Sequence, residues 1–241
     1  MKIAFLGKGG SGKSTLATQC VKYLQSRGDF VLAIDADHNM DLSLNLGVPS
    51  PSVFLGTDPS LIKSYIGLPS DAEFGQAREA AIHSGVYFHL GPTDDFTKKL
   101  TTALDDKTLL MTAGPHTDSV RSGENCSHSL AAPLKVYLPL LKLKAGQSVV
   151  IDERAGTDPV ATGILKGVDL AVIVAEPTVF SVRVARQIAH ELKIAEVPFV
   201  IVANKVQGES LLLNDLPTKP IASVMFSPNP NLDDVMKVLV A

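Results

Sequence analysis

The chain has 241 residues, 22 Lys+Arg against 25 Asp+Glu, a formal net charge of −3, 45% hydrophobic and 20% charged residues. That composition argues for a globular core and against disorder, and the slightly acidic balance excludes a basic chain that coats nucleic acid. Its 2 cysteines are too few for a disulfide framework, no apolar run reaches the roughly 18–20 residues that span a bilayer and no secretory pattern is present, so a cytoplasmic location without stable membrane insertion is expected.

Residues 3–6 are an apolar run and predict the first strand. Residues 7–14 then read GKGGSGKS and match G-x-x-x-x-G-K-[ST] at every fixed position. Phosphate binding needs inward-pointing N–H groups. Gly7, Gly9, Gly10, Ser11 and Gly12 leave the backbone free to wrap around it. Lys13 would bring positive charge to the β- and γ-phosphates, Ser14 a hydroxyl for Mg²⁺, and Thr15 a group near the α-phosphate. Residues 13–27 carry Leu16, Cys20, Val21 and Leu24 at helical spacing, so a helix opens directly on the loop.

Residues 31–34 predict a second strand, followed by Asp35-Ala36-Asp37-His38. Period-2 spacing points both carboxylates the same way while the chain stays extended, at the C-terminal end of a strand, where open α/β sheets bind ligands. Residues 48–85, rich in Pro, Gly and Ser, predict an insertion of loop and short helix. Strands are expected at 86–90 and 109–112, a polar loop at 114–125, and a helix at 129–143 with Leu130, Leu134, Leu138 and Leu141 on one face. Residues 148–151 predict a strand ending in Asp152, the arrangement that sets a carboxylate close to Mg²⁺, usually through water. Further strands at 170–175 and 199–203 end in Glu176-Pro177 and Asn204-Lys205, with a helix at 181–193 between them and a weaker strand near 220–224. Apolar runs without polar alternation, separated by helices, predict a parallel sheet buried on both faces.

The stretch KGGSGKST resembles the deviant phosphate loop of the MinD/ParA-type ATPases. The resemblance implies a single-domain α/β P-loop NTPase fold over 1–241, layered around a mostly parallel sheet of about seven or eight strands. It implies that Lys8 reaches the partner's nucleotide across a homodimer, that Asp37 positions the attacking water, and that Asp35 lies near the Mg²⁺ shell. The family usually carries Pro where His38 stands, which leaves the rigidity of this loop open. GTPases read guanine with the Asp of N-K-x-D, and Gln207 occupies that position here. The resemblance instead puts Asn204 against adenine, with Glu176 and Pro177 as a wall of the base pocket, and favours ATP.

The run from Asp152 through Leu192, followed by VANKV, is similar to the nickel-accessory ATPases that mature carbon monoxide dehydrogenase. Those relatives carry Cys-x-Cys before a helix and bind a metal between subunits. Here the stretch reads Cys126-Ser127-His128, so the resemblance implies a Zn²⁺ or Ni²⁺ site built from Cys126 and His128 of two copies. The expected function is Mg²⁺-dependent ATP hydrolysis that switches a homodimer serving a client metalloenzyme. The alternatives are a nucleotide-dependent regulatory scaffold and a cofactor-biosynthesis synthetase of the same superfamily. The remaining histidines, His83, His89, His116 and His190, show no ligand spacing.

Overall fold

Alternate residues of the first strand, β1 (Lys2–Gly7), serve two different cores. Ala4 and Leu6 face one layer of helices, and Ile3 and Phe5 face the other. The same division recurs in β2 (Phe30–Asp35), where Leu32 and Ile34 oppose Val31 and Ala33, and in β7 (Gln147–Asp152), where Val149 and Ile151 oppose Val150. This is why these runs read as uniformly apolar: both faces of the sheet are covered. The computed structural model describes residues 1–58, 60–74, 79, 82–83, 85–91, 94–123, 126–227 and 232–240, and only the backbone of Ser119, Ser127 and His128.

The remaining strands are β3 (Phe88–His89), β4 (Thr102–Ala103), β5 (Thr108–Thr112), β6 (Leu141–Lys142), β8 (Leu170–Ala175), β9 (Phe199–Val206) and β10 (Ala222–Met225). Eight of the strands form one sheet in the order β10-β9-β8-β1-β7-β2-β5-β4. All neighbours are parallel except β4, which runs antiparallel to β5 at the edge. The helices are α1 (Lys13–Ser26), α2 (Asp41–Asn45), α3 (Ser60–Tyr65), α4 (Asp95–Lys99), α5 (Asp118–Arg121), α6 (Leu134–Leu140), α7 (Asp158–Ala161), α8 (Val179–Ile194) and α9 (Asp233–Leu239). Residues of α1 and α9 cover one face of the sheet, and residues of α6 and α8 cover the other. The chain is a single α/β domain with a mostly parallel eight-stranded sheet, as expected.

Two expected elements come out differently. The strand expected at 86–90 shrinks to Phe88–His89 and leaves the main sheet, pairing with β6 in a separate two-stranded one. The helix expected at 129–143 divides into a 3₁₀ turn, Ser127–Ala131, and α6, after which the chain turns extended at Leu141. Pro133 sits at the break and Pro139 lies near the end, and neither has an N–H to continue a helical ladder. Within 48–85, Leu55, Ile62 and Ile66 are buried, so this stretch contributes to the core as well as to the surface.

Candidate nucleotide and switch site

β1 lies between β7 and β8 in the middle of the sheet, and the phosphate loop leaves its C-terminal end. Gly7 has no room for a side chain: an added Cβ would meet Val174 O at 2.4 Å. Gly12 adopts φ 96° as the cap of α1, and a Cβ there would stand 2.3 Å from Asn204 Nδ2. Both positions require glycine for close backbone approach. α1 has neither a capping side chain nor an acidic residue in its first turn. Its first N–H groups and positive dipole end therefore remain available to an anion. In front of it opens a cavity of about 290 Å³ bounded by Gly10, Gly12, Lys13, Ser14, Thr15 and Lys205 among others. Lys8 is not among its bounding residues, and its Nζ donates only to the neighbouring Gly9 O, at 3.1 Å.

Asp152 ends β7 beside this loop and is buried. The Ser14 side chain is near enough to favour its charged form, while its Oδ1 has no hydrogen-bond partner among the described residues. Burial pushes its pKa up to about 7, against the opposing pull of Ser14 and Lys13. An orphaned buried carboxylate oxygen next to a serine hydroxyl fits an Mg²⁺ ion and its water shell. Asp35, at the end of β2, is engaged elsewhere. Its Oδ2 accepts from both the backbone N–H and the hydroxyl of Ser43, each at 2.8 Å, which ties the start of α2 to the sheet. Burial raises Asp35 to about 6. Asp37 lies beyond it on the turn into α2, where its Oδ1 accepts from Asn39 N at 3.1 Å and faces His38 Nδ1 at 3.3 Å.

Asn204, expected against the base, donates from Nδ2 to Ser11 O at 2.8 Å and so braces the phosphate loop. The neighbouring Lys205, in the left-handed region at φ 56°, bonds Gly10 O at 2.5 Å and Glu176 Oε1 at 2.7 Å. It thus stands between the phosphate cavity and a second one of about 440 Å³, bounded by Glu176, Pro177, Gln207, Ser210 and Phe226 among others.

Two features carried no recognisable sequence signal. Glu153 and Arg154 follow Asp152, are buried, and keep both carboxyl oxygens and all three guanidinium nitrogens without hydrogen-bond partners. Burial pushes Glu153 up to about 8, with Arg154 pulling the other way. His116 stacks on His38, with ring centroids 4.3 Å apart and planes 23° from parallel. Cys126 is exposed at the start of the 3₁₀ turn, and the side chain of His128 lies outside the described residues. Among the described residues no three His, Cys, Asp or Glu come together as a metal site, and no helix is long and apolar enough to cross a membrane.

The sequence pattern of the CobQ/CobB/MinD/ParA nucleotide binding domain matches residues 3–226. The chain belongs to that family. This P-loop ATPase is 34% identical over 195 residues to the carbon monoxide dehydrogenase accessory protein CooC of Rhodospirillum rubrum, covering 78% of this chain and 67% of that protein. It is 28% identical over 243 residues to an uncharacterized ATP-binding protein of Methanocaldococcus jannaschii, covering 98% and 90%. The fold is shared with a ParA family ATPase from Chlorobium tepidum at TM-score 0.64 and 17% identity, covering 98% of this chain and 86% of that one. It is shared also with the septum site-determining protein MinD of Pyrococcus horikoshii, solved with Mg-ADP, at TM-score 0.59 and 19% identity, covering 94% and 82%.

Proposed function

We propose that this MinD/ParA-type ATPase, acting as one domain over 1–241 in the cytoplasm, hydrolyses Mg²⁺-ATP as a nucleotide-switched homodimer and assists nickel insertion into a metalloenzyme. The observation that carries the ATPase site is the pairing of Asp152 with Ser14 beside Lys13, at the open N-terminus of α1. The N–H groups of residues 9–15 hold the phosphates, and Lys13 neutralises the β/γ end. Ser14 and Asp152 would hold the Mg²⁺, which offsets the charge of the transferring phosphoryl group. Asp37 orients the attacking water from the end of β2, and Asp35 keeps the turn that carries Asp37 anchored to Ser43. Glu176 and Pro177 wall the base cavity, and Asn204 secures the loop from behind.

The nickel role is supported by the similarity to CooC, whose name assigns that protein to carbon monoxide dehydrogenase. In this reading Cys126 and His128 of two copies hold one Zn²⁺ or Ni²⁺, since two ligands from one subunit leave a tetrahedral ion half-coordinated. The test is metal content after loading with Ni²⁺ or Zn²⁺ in the presence of ATP, for wild type and Cys126→Ser. About one ion per dimer in wild type and none in the variant is expected. Equal content in both removes the metal role and leaves an ATP-dependent switch for a protein partner.

A further inference from the structure

The turn that carries Asp37 is anchored at its base and needs a second contact at its tip. At the base, Ala36 N donates to Asp152 O at 3.0 Å, and Asp35 holds Ser43. Asp37 N donates to Asp35 Oδ1 at 3.4 Å, which adds to the anchor at the base, while the Asp37 carboxylate meets only Asn39 N and His38 Nδ1 among the described residues, contacts that shape the turn without fixing where its tip sits. Residue 38 has no ring closing on its backbone to set φ, and Met40 is already in the left-handed region at φ 57°. At the tip, a contact that reaches another segment is His38 on His116. It is possible because β2 and β5 are sheet neighbours and their exits are tied by Ala113 N donating to Asp35 O at 2.8 Å.

We propose that His116 is a positioning residue for ATP hydrolysis: by stacking on His38 it fixes the 36–40 turn and so aims Asp37 at the attacking water. The proposal rests on the reading of Asp37 given above. His116 also borders a cavity of about 280 Å³ formed with Phe54, Gly114 and Leu130, whose lining shares no residue with the phosphate cavity. The loop bearing His116 leads into α5, so the stack joins that loop to the turn that carries Asp37. A stacked pair of planar rings holds orientation, and orientation of a group that acts in the transition state enters kcat and not ground-state binding.

The test compares His116→Ala, His116→Phe, Asp37→Asn and wild type by steady-state ATPase kinetics, ADP calorimetry and thermal melting. His116→Ala is expected to lower kcat about tenfold with KM and ADP affinity unchanged, and His116→Phe, which keeps a stacking face, to recover most of the loss. A wild-type kcat in His116→Ala, beside a slow Asp37→Asn, overturns the proposal and leaves the role of Asp37 standing. Equal losses in His116→Ala and His116→Phe also overturn it, because the ring face then carries nothing. Normal turnover in Asp37→Asn overturns the reading of Asp37 itself and the proposal with it. Melting curves identify any variant that is slow only because it is unfolded.

Discussion

Asp35 and Asp152 end adjacent parallel strands at the same level, paired across β2 and β7, yet they face different partners. Asp152 meets the Ser14 hydroxyl at the head of the phosphate loop, whereas Asp35 is consumed by the N–H and hydroxyl of Ser43. Both carboxylates are buried and both are held above the ordinary carboxylate range by burial. The difference is that Asp35 is held by Ser43 whereas Asp152 keeps an unpartnered oxygen, and that sets different consequences for removing each.

Asp35→Ala should unfold more easily, by about 1–3 kcal/mol, because it strands a buried N–H and hydroxyl of Ser43. Asp152→Asn should keep its stability, since it removes a buried charge and retains the shape. It should instead slow Mg²⁺-dependent turnover about 10–100-fold, the usual cost of losing a carboxylate that steadies a metal's water shell. Urea unfolding and steady-state ATPase rates on the two variants check this division. Equal stability loss in both would place Asp152 in the same anchoring role as Asp35.

The phosphate loop was legible because it is contiguous: every residue that forms it lies within eight positions of GKGGSGKS, and the flanking strand and helix show in the apolar spacing. The strands were legible because burial on both faces removes polar alternation. What was not legible depends on the sheet order. His38 and His116 meet only because β2 and β5 are neighbours, a pairing that no spacing within either segment reveals. The turn of Asn204 toward Ser11 likewise depends on β9 lying two strands from β1. The divided helix around Pro133 and Pro139 is a different matter, since both prolines were visible and outweigh the leucine spacing.

Glu153 makes stability depend on pH. Its carboxyl is raised from the ordinary 4.5 to about 8, so the folded chain binds this proton more tightly than the unfolded chain. The sign follows: its contribution is fully present below about pH 4.5 and is lost as pH rises through about 8. Glu153→Gln cannot titrate, so its melting temperature relative to wild type should climb between about pH 5 and pH 9, by about 2 °C or more. The comparison cancels Asp35 and Asp152, which titrate in both proteins. A constant difference across that range would mean that Glu153 is ionised throughout, paired with Arg154.

Asn204→Ala should weaken ATP and ADP alike, about tenfold, since the lost hydrogen bond braces Ser11 O and not any group of the γ-phosphate. Because the amide faces the loop, the preference for ATP over GTP should stay as it is. Calorimetry with the three nucleotides distinguishes the roles. A collapse of the ATP preference, with ADP affinity otherwise kept, would return Asn204 to the base.

Lys8→Ala should bind ATP with wild-type affinity yet lose ATP-dependent dimerisation and most turnover. The cavity in front of α1 already has a lysine, Lys13, and Lys8 takes no part in bounding it. The Lys8 ammonium, held among the described residues by the adjacent Gly9 carbonyl, does not border the chain's own phosphate cavity. One weak local bond leaves it ready to leave for a stronger anionic partner, and a phosphate in a second copy supplies one. Lys13→Ala is the matching control: it removes the charge inside the cavity and should abolish nucleotide binding outright. Light scattering with ATP, alongside calorimetry and turnover, separates the two lysines. A Lys8→Ala protein that dimerises and hydrolyses normally would make Lys8 a solvated surface charge. One that fails to bind ATP at all would make it part of the same pocket as Lys13.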